Sequence, residues 1–248
     1  GYSSKGAGQD AYMGFSKIAD RYGFILVAPD GTKESAGDNN RFWNASDACC
    51  DFFSSEVDDS AYVLSIINQV KSDYNIDANR VFLIGHSNGG FMSYRAAYDH
   101  SSTIAAIASL AGADHADIRN APDKPVHVLQ IHGTEDGTIA YDGADIQGNS
   151  YPSAEESVSR WAAYNGCSTN GVTRELRDLE GRIDGHESSV LLFEEGCLEE
   201  KPGAEVGFTG AASKEEKKKS AEEEKALRKL KANLETTQLK TSARAALS

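Results

Sequence analysis

Residues Val81 to Gly90 read VFLIGHSNGG: a short apolar run, a serine between spaced glycines, and then residues that can continue as helix. The run Val81 to Ile84 is continuous, apolar and ends at Gly85, the pattern of a strand. Gly85-His86-Ser87-Asn88-Gly89 fits G-x-S-x-G, which presents a nucleophilic serine on a sharp turn between a strand and a helix. Glycines two before and two after Ser87 suit such a turn, because it brings backbone segments too close together for side chains. The alternative is a glycine-rich strand-to-helix turn in which the serine merely caps the helix.

Working outward, strand and helix signals alternate from about residue 15 to residue 195. Phe24 to Ala28 before Pro29 reads as a buried strand, and Asp58, Asp59 and Ser60 read as helix-capping residues. Val63, Ile66, Ile67, Val70 and Tyr74 follow those caps at helical spacing. Phe91 to Tyr98 and Ala154 to Tyr164 read as helices, and Ile104 to Leu110, Val126 to Ile131 and Val190 to Phe193 as strands. The alternation predicts an α/β domain with parallel strands and crossover helices in one open sheet.

A serine hydroxyl is hardly ionised at neutral pH, so it needs a general base in hydrogen-bond reach and an acid that orients the base. In a strand-turn-helix arrangement of this kind the chain order is serine, acid, histidine. His132-Gly133-Thr134-Glu135-Asp136 follows the Val126 to Ile131 strand at its carboxyl end, where open parallel sheets gather their sites. Asp136 is therefore the expected acid, with Glu135 and Asp142 as neighbours that could be mistaken for it. His132 precedes the acid and reads as structural.

Composition narrows the function classes. The 248 residues carry a net charge of −13; residues 214 to 248 hold ten Lys or Arg against six Glu, a net of +4, so −17 falls on residues 1 to 213. An acidic body argues against nucleic acid as a partner, since phosphate binding needs clustered cations. No run of about 20 apolar residues suggests a membrane span. Cys49, Cys50, Cys167 and Cys197 form no Cys-x-x-Cys pair and there is no histidine cluster, so neither a metal nor a cofactor is expected. Cys167 and Cys197 read better as a disulfide, whereas adjacent Cys49 and Cys50 could bridge each other, pair elsewhere or simply be buried. The sequon Asn44-Ala45-Ser46 agrees with an oxidising compartment.

Several stretches in order carry a resemblance: FSKIADRYGFILVAPDG (15–31), WNASDACC (43–50), VDDSAYVLSIINQVKSDYNIDANRVFLIGHSNGGFMSYRAA (57–97), IHGTED (131–136) and RWAAYNGC (160–167). Together they resemble the secreted esterase family of polyhydroxybutyrate depolymerases and feruloyl esterases, a branch of the α/β-hydrolases. The resemblance implies a mostly parallel sheet with flanking helices over residues 1–206, Ser87 as nucleophile and Asp136 as triad acid. It also implies the Asn88 N–H as one oxyanion donor and a second donor near Tyr2. Trp43 and His86 would line the substrate cleft, and Cys167 and Cys197 occupy places where the family carries a disulfide. The implied function is ester hydrolysis outside the cell, on a polyhydroxyalkanoate or a feruloylated polysaccharide.

The pattern breaks at both ends. The family's histidine follows its last strand in a Gly-Gly-His loop, but no histidine occurs here after His186. General-base help is worth about 10²- to 10⁴-fold, so an inactive hydrolase relic or binding domain is the competing expectation. His186, in DGHESS (184–189), is a substitute base only if its loop reaches the serine, and the His86 side chain is expected to point away across the turn. The strands that precede the oxyanion loop in the family are expected to be missing before Gly1. Residues 207–248 read as a charged helical or disordered tail unrelated to the family.

Overall fold

The computed structural model describes residues 1–179 and 181–198. In chain order its elements are α1 (Gly6–Met13), α2 (Ser16–Tyr22), β1 (Thr32–Lys33), β2 (Arg41–Phe42), α3 (Asp59–Asp73), β3 (Phe82–His86), α4 (Asn88–Asp99), β4 (Ala106–Leu110), β5 (His127–Ile131), β6 (Ala144–Ile146), β7 (Asn149–Tyr151), α5 (Ala154–Tyr164), β8 (Val172–Arg177) and β9 (Ser188–Leu192). Three of the apolar runs found above become β3, β4 and β5, which pair in parallel. The register sets His86 beside Leu110 and Leu110 beside Ile131, so all three strands end level. Their carboxyl ends lead into Ser87, Ala111 and His132, which brings three loops to one edge.

The helices follow from their caps and stripes. Asp58 accepts the Ala61 N–H at 2.9 Å to start α3, and Ser153 accepts the Glu156 N–H at 3.0 Å to start α5. Acidic residues stand in the first turn of both helices, where the dipole favours them. Helix α4 lies on the sheet face that carries Gly85 and Ser109, with α3 and α5 beside α4 and β5 respectively. Phe91, Tyr94, Ile104, Val126 and Trp161 are almost wholly buried between these layers. Each such side chain contributes about 1.5–3 kcal/mol by leaving water. Edge and tilted contacts of Trp161 with Tyr94 and Tyr98, and of Tyr164 with Tyr98, tie α4 to α5.

Two expectations are corrected. The Phe24–Ala28 run is extended but forms no ladder, and Phe24, Ile25, Leu26 and Val27 are 37–48% exposed. An apolar run becomes a strand only when a neighbour takes its N–H and C=O groups, and among the described residues none lies beside it; β3 likewise pairs on one side only. Val190 to Phe193 does yield β9, yet β9 pairs antiparallel with β8 in a hairpin and does not extend the parallel sheet. Instead of one open sheet, the described residues hold a three-stranded parallel sheet and three two-stranded antiparallel pairs. No helix among them is long and apolar enough to cross a membrane. The boundary expected at Val206 and the tail beyond it lie outside the described residues.

Candidate active site

The corner after β3 is the most constrained point in the chain. Ser87 has φ 54° and ψ −122°, a left-handed conformation that costs a non-glycine residue on the order of 1–3 kcal/mol. Its N–H is held by the Leu110 carbonyl at 2.8 Å, while its own carbonyl accepts the Gly90 and Phe91 N–H groups. A Cβ on Gly85 would sit 1.9 Å from the Gly89 carbonyl oxygen, and one on Gly90 2.6 Å from Ser109 Oγ. These contacts account for Gly85 and Gly90, whereas a Cβ on Gly89 would meet only the residue 1 nitrogen at 4.0 Å, so the close approach expected there is not found. The Ser87 side chain makes no capping hydrogen bond to α4. The capping-serine alternative therefore fails.

Asp136 lies five residues beyond the end of β5, two strands from Ser87, a lateral spacing of about 10 Å. Its Oδ1 accepts the Thr138 and Ile139 N–H groups at 2.8 and 3.0 Å. Burial raises the carboxyl's pKa, but these two amides, with His132 and His86, outweigh it and hold the group below the usual carboxylate value. Asp136 is thus a fixed, ionised and half-buried acid in a mostly exposed loop, and Glu135 and Asp142 are exposed. His132 is locked beside it: Gln130 Nε2 donates to Nδ1 at 3.0 Å, and Nε2 donates to the Ile139 carbonyl at 2.7 Å. One ring nitrogen is thus held from β5 and the other from the loop, with Nε2 also 3.8 Å from Asp136 Oδ2.

A wall forms opposite. Asn88 opens α4, so its N–H has no intrahelical acceptor. Its side chain, 0% exposed, accepts the Trp43 N–H at 2.7 Å and donates to the Trp43 carbonyl at 2.9 Å. Trp43 is half-buried and stacks on Tyr62 with ring centroids 6.2 Å apart. Asp59, read from sequence as a cap, instead turns inward and accepts the Thr32 hydroxyl and the Asn44 N–H. Burial raises its pKa. Glu34, which sequence reasoning missed, is 5% exposed and accepts the Tyr2 hydroxyl and the Asn40 N–H. No motif marks Glu34; its only signal is an acidic residue in a glycine- and asparagine-rich loop. Tyr2 packs its ring on Phe52, and residue 1 lies against His86 and Gly89. Asn44 donates its side-chain amide to the Val57 carbonyl, so the sequon faces inward.

All six histidines are among the described residues. The His86 ring lies tilted against Tyr12, and burial lowers its pKa against the pull of Asp136. His186 sits in the β8–β9 connection with Nδ1 on the Leu176 carbonyl at 2.9 Å. That bond is local to the hairpin and does not bring it to Ser87. His100 meets Ser60 through Nε2, His115 is buried against Tyr98, and His127 is on β5. Two disulfides are present, Cys49–Cys50 and Cys167–Cys197.

The PHB depolymerase esterase model matches residues 6–184, which include the Ser87 corner, the Trp43 loop and the Asp136 loop. The chain belongs to this esterase family. Among its relatives, a bifunctional acetylxylan esterase/xylanase of Neocallimastix patriciarum is 28% identical over 198 residues, covering 73% of this chain and 27% of the relative. Feruloyl esterase B of Piromyces equi is 29% identical over 161 residues, 61% of this chain and 28% of the relative. A probable feruloyl esterase C of Aspergillus flavus is 31% identical over 143 residues, 58% of this chain and 43% of the relative. The chain spans less than half the length of each of these three proteins.

Proposed function

We propose that this chain is a serine carboxylic-ester hydrolase domain whose substrate is an ester attached to or within a polymer. Ser87 attacks the ester carbonyl, and the backbone N–H of Asn88 with a donor from the Tyr2 segment holds the oxyanion. Asp136 stands as the ionised acid of the site, and Trp43 walls the acyl side of the cleft. The observation that carries this reading is the strained Ser87 corner with its hydroxyl unused by α4, level with the Asp136 loop across a parallel sheet. Relatives described as feruloyl and acetylxylan esterases support a plant-polysaccharide ester over a polyhydroxyalkanoate. The Cys167–Cys197 bond supports an oxidising, extracellular setting.

A second reading is favoured by one specific observation: His132, 3.8 Å from Asp136 Oδ2, is held by Gln130 and the Ile139 carbonyl, and no histidine is hydrogen-bonded to Ser87 among the described residues. On that reading the fold is retained as a relic or binding domain. Hydrolysis of p-nitrophenyl acetate and methyl ferulate by the chain and by Ser87→Ala separates the two. Turnover lost in the variant supports the hydrolase. Equal background rates in both support the relic.

A further inference from the structure

We propose that the side chain of Asn88 is a latch that fixes the Trp43 loop to the nucleophile's own helix, so that the aromatic wall and Ser87 keep one spacing. The proposal rests on the reading of Trp43 as the cleft wall. Asn88 follows Ser87 directly, and its amide spends both ends on the backbone of a single residue 45 positions away in the chain. Trp43 is the first residue past β2, where no ladder serves its N–H and C=O. Without the amide its N–H loses its 2.7 Å acceptor and its carbonyl keeps only the Cys50 N–H at 3.3 Å.

Asparagine is the residue that fits this task. The side chain is 0% exposed, so neither bond is traded with solvent. A carboxylate there could accept from the Trp43 N–H but not donate to its carbonyl, and a serine hydroxyl is too short to span both. The same amide also reaches Cys49 Sγ at 3.5 Å, which draws the far side of the loop to α4. Tyr62 and Asp59 restrain Trp43 and Asn44 from α3, whereas the Asn88 amide hydrogen-bonds the loop to the helix that starts at the nucleophile. A positioning residue of this kind sets how a bulky acyl group sits against Ser87.

The chain has two tryptophans, and Trp161 is wholly buried, so acrylamide quenching reports on Trp43. Asn88→Ala and the volume-keeping Asn88→Leu should each raise the quenching constant about two-fold or more, with cooperative thermal unfolding retained. In both variants kcat/KM for methyl ferulate should fall about ten-fold further than for p-nitrophenyl acetate. Unchanged quenching in either variant, or an equal fall for the two esters, would overturn the latch. So would loss of the fold in both variants, which would make Asn88 an ordinary core residue. If the unsubstituted chain hydrolyses neither ester, the hydrolase reading fails on its own, and the quenching result still decides whether the latch exists.

Discussion

The corner at 85–90 and the β8–β9 hairpin each carry a residue that an ester hydrolase could use, Ser87 in one and His186 in the other, yet they are built in opposite ways. At the corner, backbone meets backbone: Gly85 against Gly89, and Gly90 against Gly112 and Ser109. A neighbouring loop is bonded in by a buried amide. Such crowding over-determines the conformation, and only an over-determined backbone can hold a serine in the left-handed region. Along the hairpin connection the added Cβ of Gly181 or Gly185 would touch nothing within 4 Å, and Leu176, Leu179 and Ile183 are more than half exposed. Its histidine is held by one bond to its own hairpin. The lesson is that one part of the site is fixed by packing while the other candidate part is a surface feature.

The largest expected effect lies at the crowded end. Gly85→Ala should cost more than about 3 kcal/mol or abolish folding, because neither contacting strand nor helix backbone can move aside. Gly181→Ala should stay within about 0.5 kcal/mol. Urea melts of the pair measure the contrast directly, and similar losses would dissolve it. Next in size is the staple of the hairpin region: Cys197→Ser opens a bridge between residues 30 apart and should lower stability by about 2–4 kcal/mol, read from thermal unfolding with and without reductant.

A subtler test lies behind α4, where Asp114 and His115 are both buried. Burial raises Asp114 to about 6 from 3.8, although the His115 amide and Arg160 pull the other way. Burial lowers His115 to about 4 from 6.5, and Arg119 adds to this. Between about pH 4 and 6 the folded chain keeps the Asp114 proton that the unfolded chain has released, so this contribution is full below about pH 4 and is lost as pH rises through about 6. Over nearly the same range the unfolded chain binds a proton at His115 that the folded chain refuses, so that contribution is present above about pH 6.5 and lost as pH falls toward 4. The two slopes oppose each other. Asp114→Asn removes the first, so the variant's stability should rise with pH between about 4 and 6 by up to about 1.4 kcal/mol per pH unit more than the parent's. Parallel pH profiles from denaturant melts would show that the pair does not offset.

The smallest effect is expected at His186. His186→Ala removes one exposed bond and should change ester turnover less than about two-fold and stability by less than about 1 kcal/mol. A large loss of turnover would mean that the hairpin reaches the serine after all and would erase the contrast.

Legibility in the sequence followed the same divide. The runs at Val81–Ile84, Ile104–Leu110 and Val126–Ile131 were readable because each is short, apolar and paired with the next in register. The run at Phe24–Ala28 has the same composition, but a strand needs a partner that its own residues cannot announce. Val190–Phe193 was readable as a strand and not as half of a hairpin, since pairing depends on Val172–Arg177, which mixes charged and apolar residues. At the site, Ser87 and Asp136 stood out through local spacing. The buried roles of Glu34, Asp59 and the Asn88 side chain did not, because each depends on a loop distant in the chain.

That the strained residue 87 presents a hydroxyl unused by α4, at the same sheet edge as a fixed acid two strands away, is tested most directly by treating the chain with a fluorophosphonate and locating the adduct by peptide mass spectrometry. One adduct is expected, on Ser87, that disappears in Ser87→Ala and forms more slowly in Asp136→Ala. An adduct on another serine, or none at Ser87 under conditions that label an active serine esterase, would contradict it.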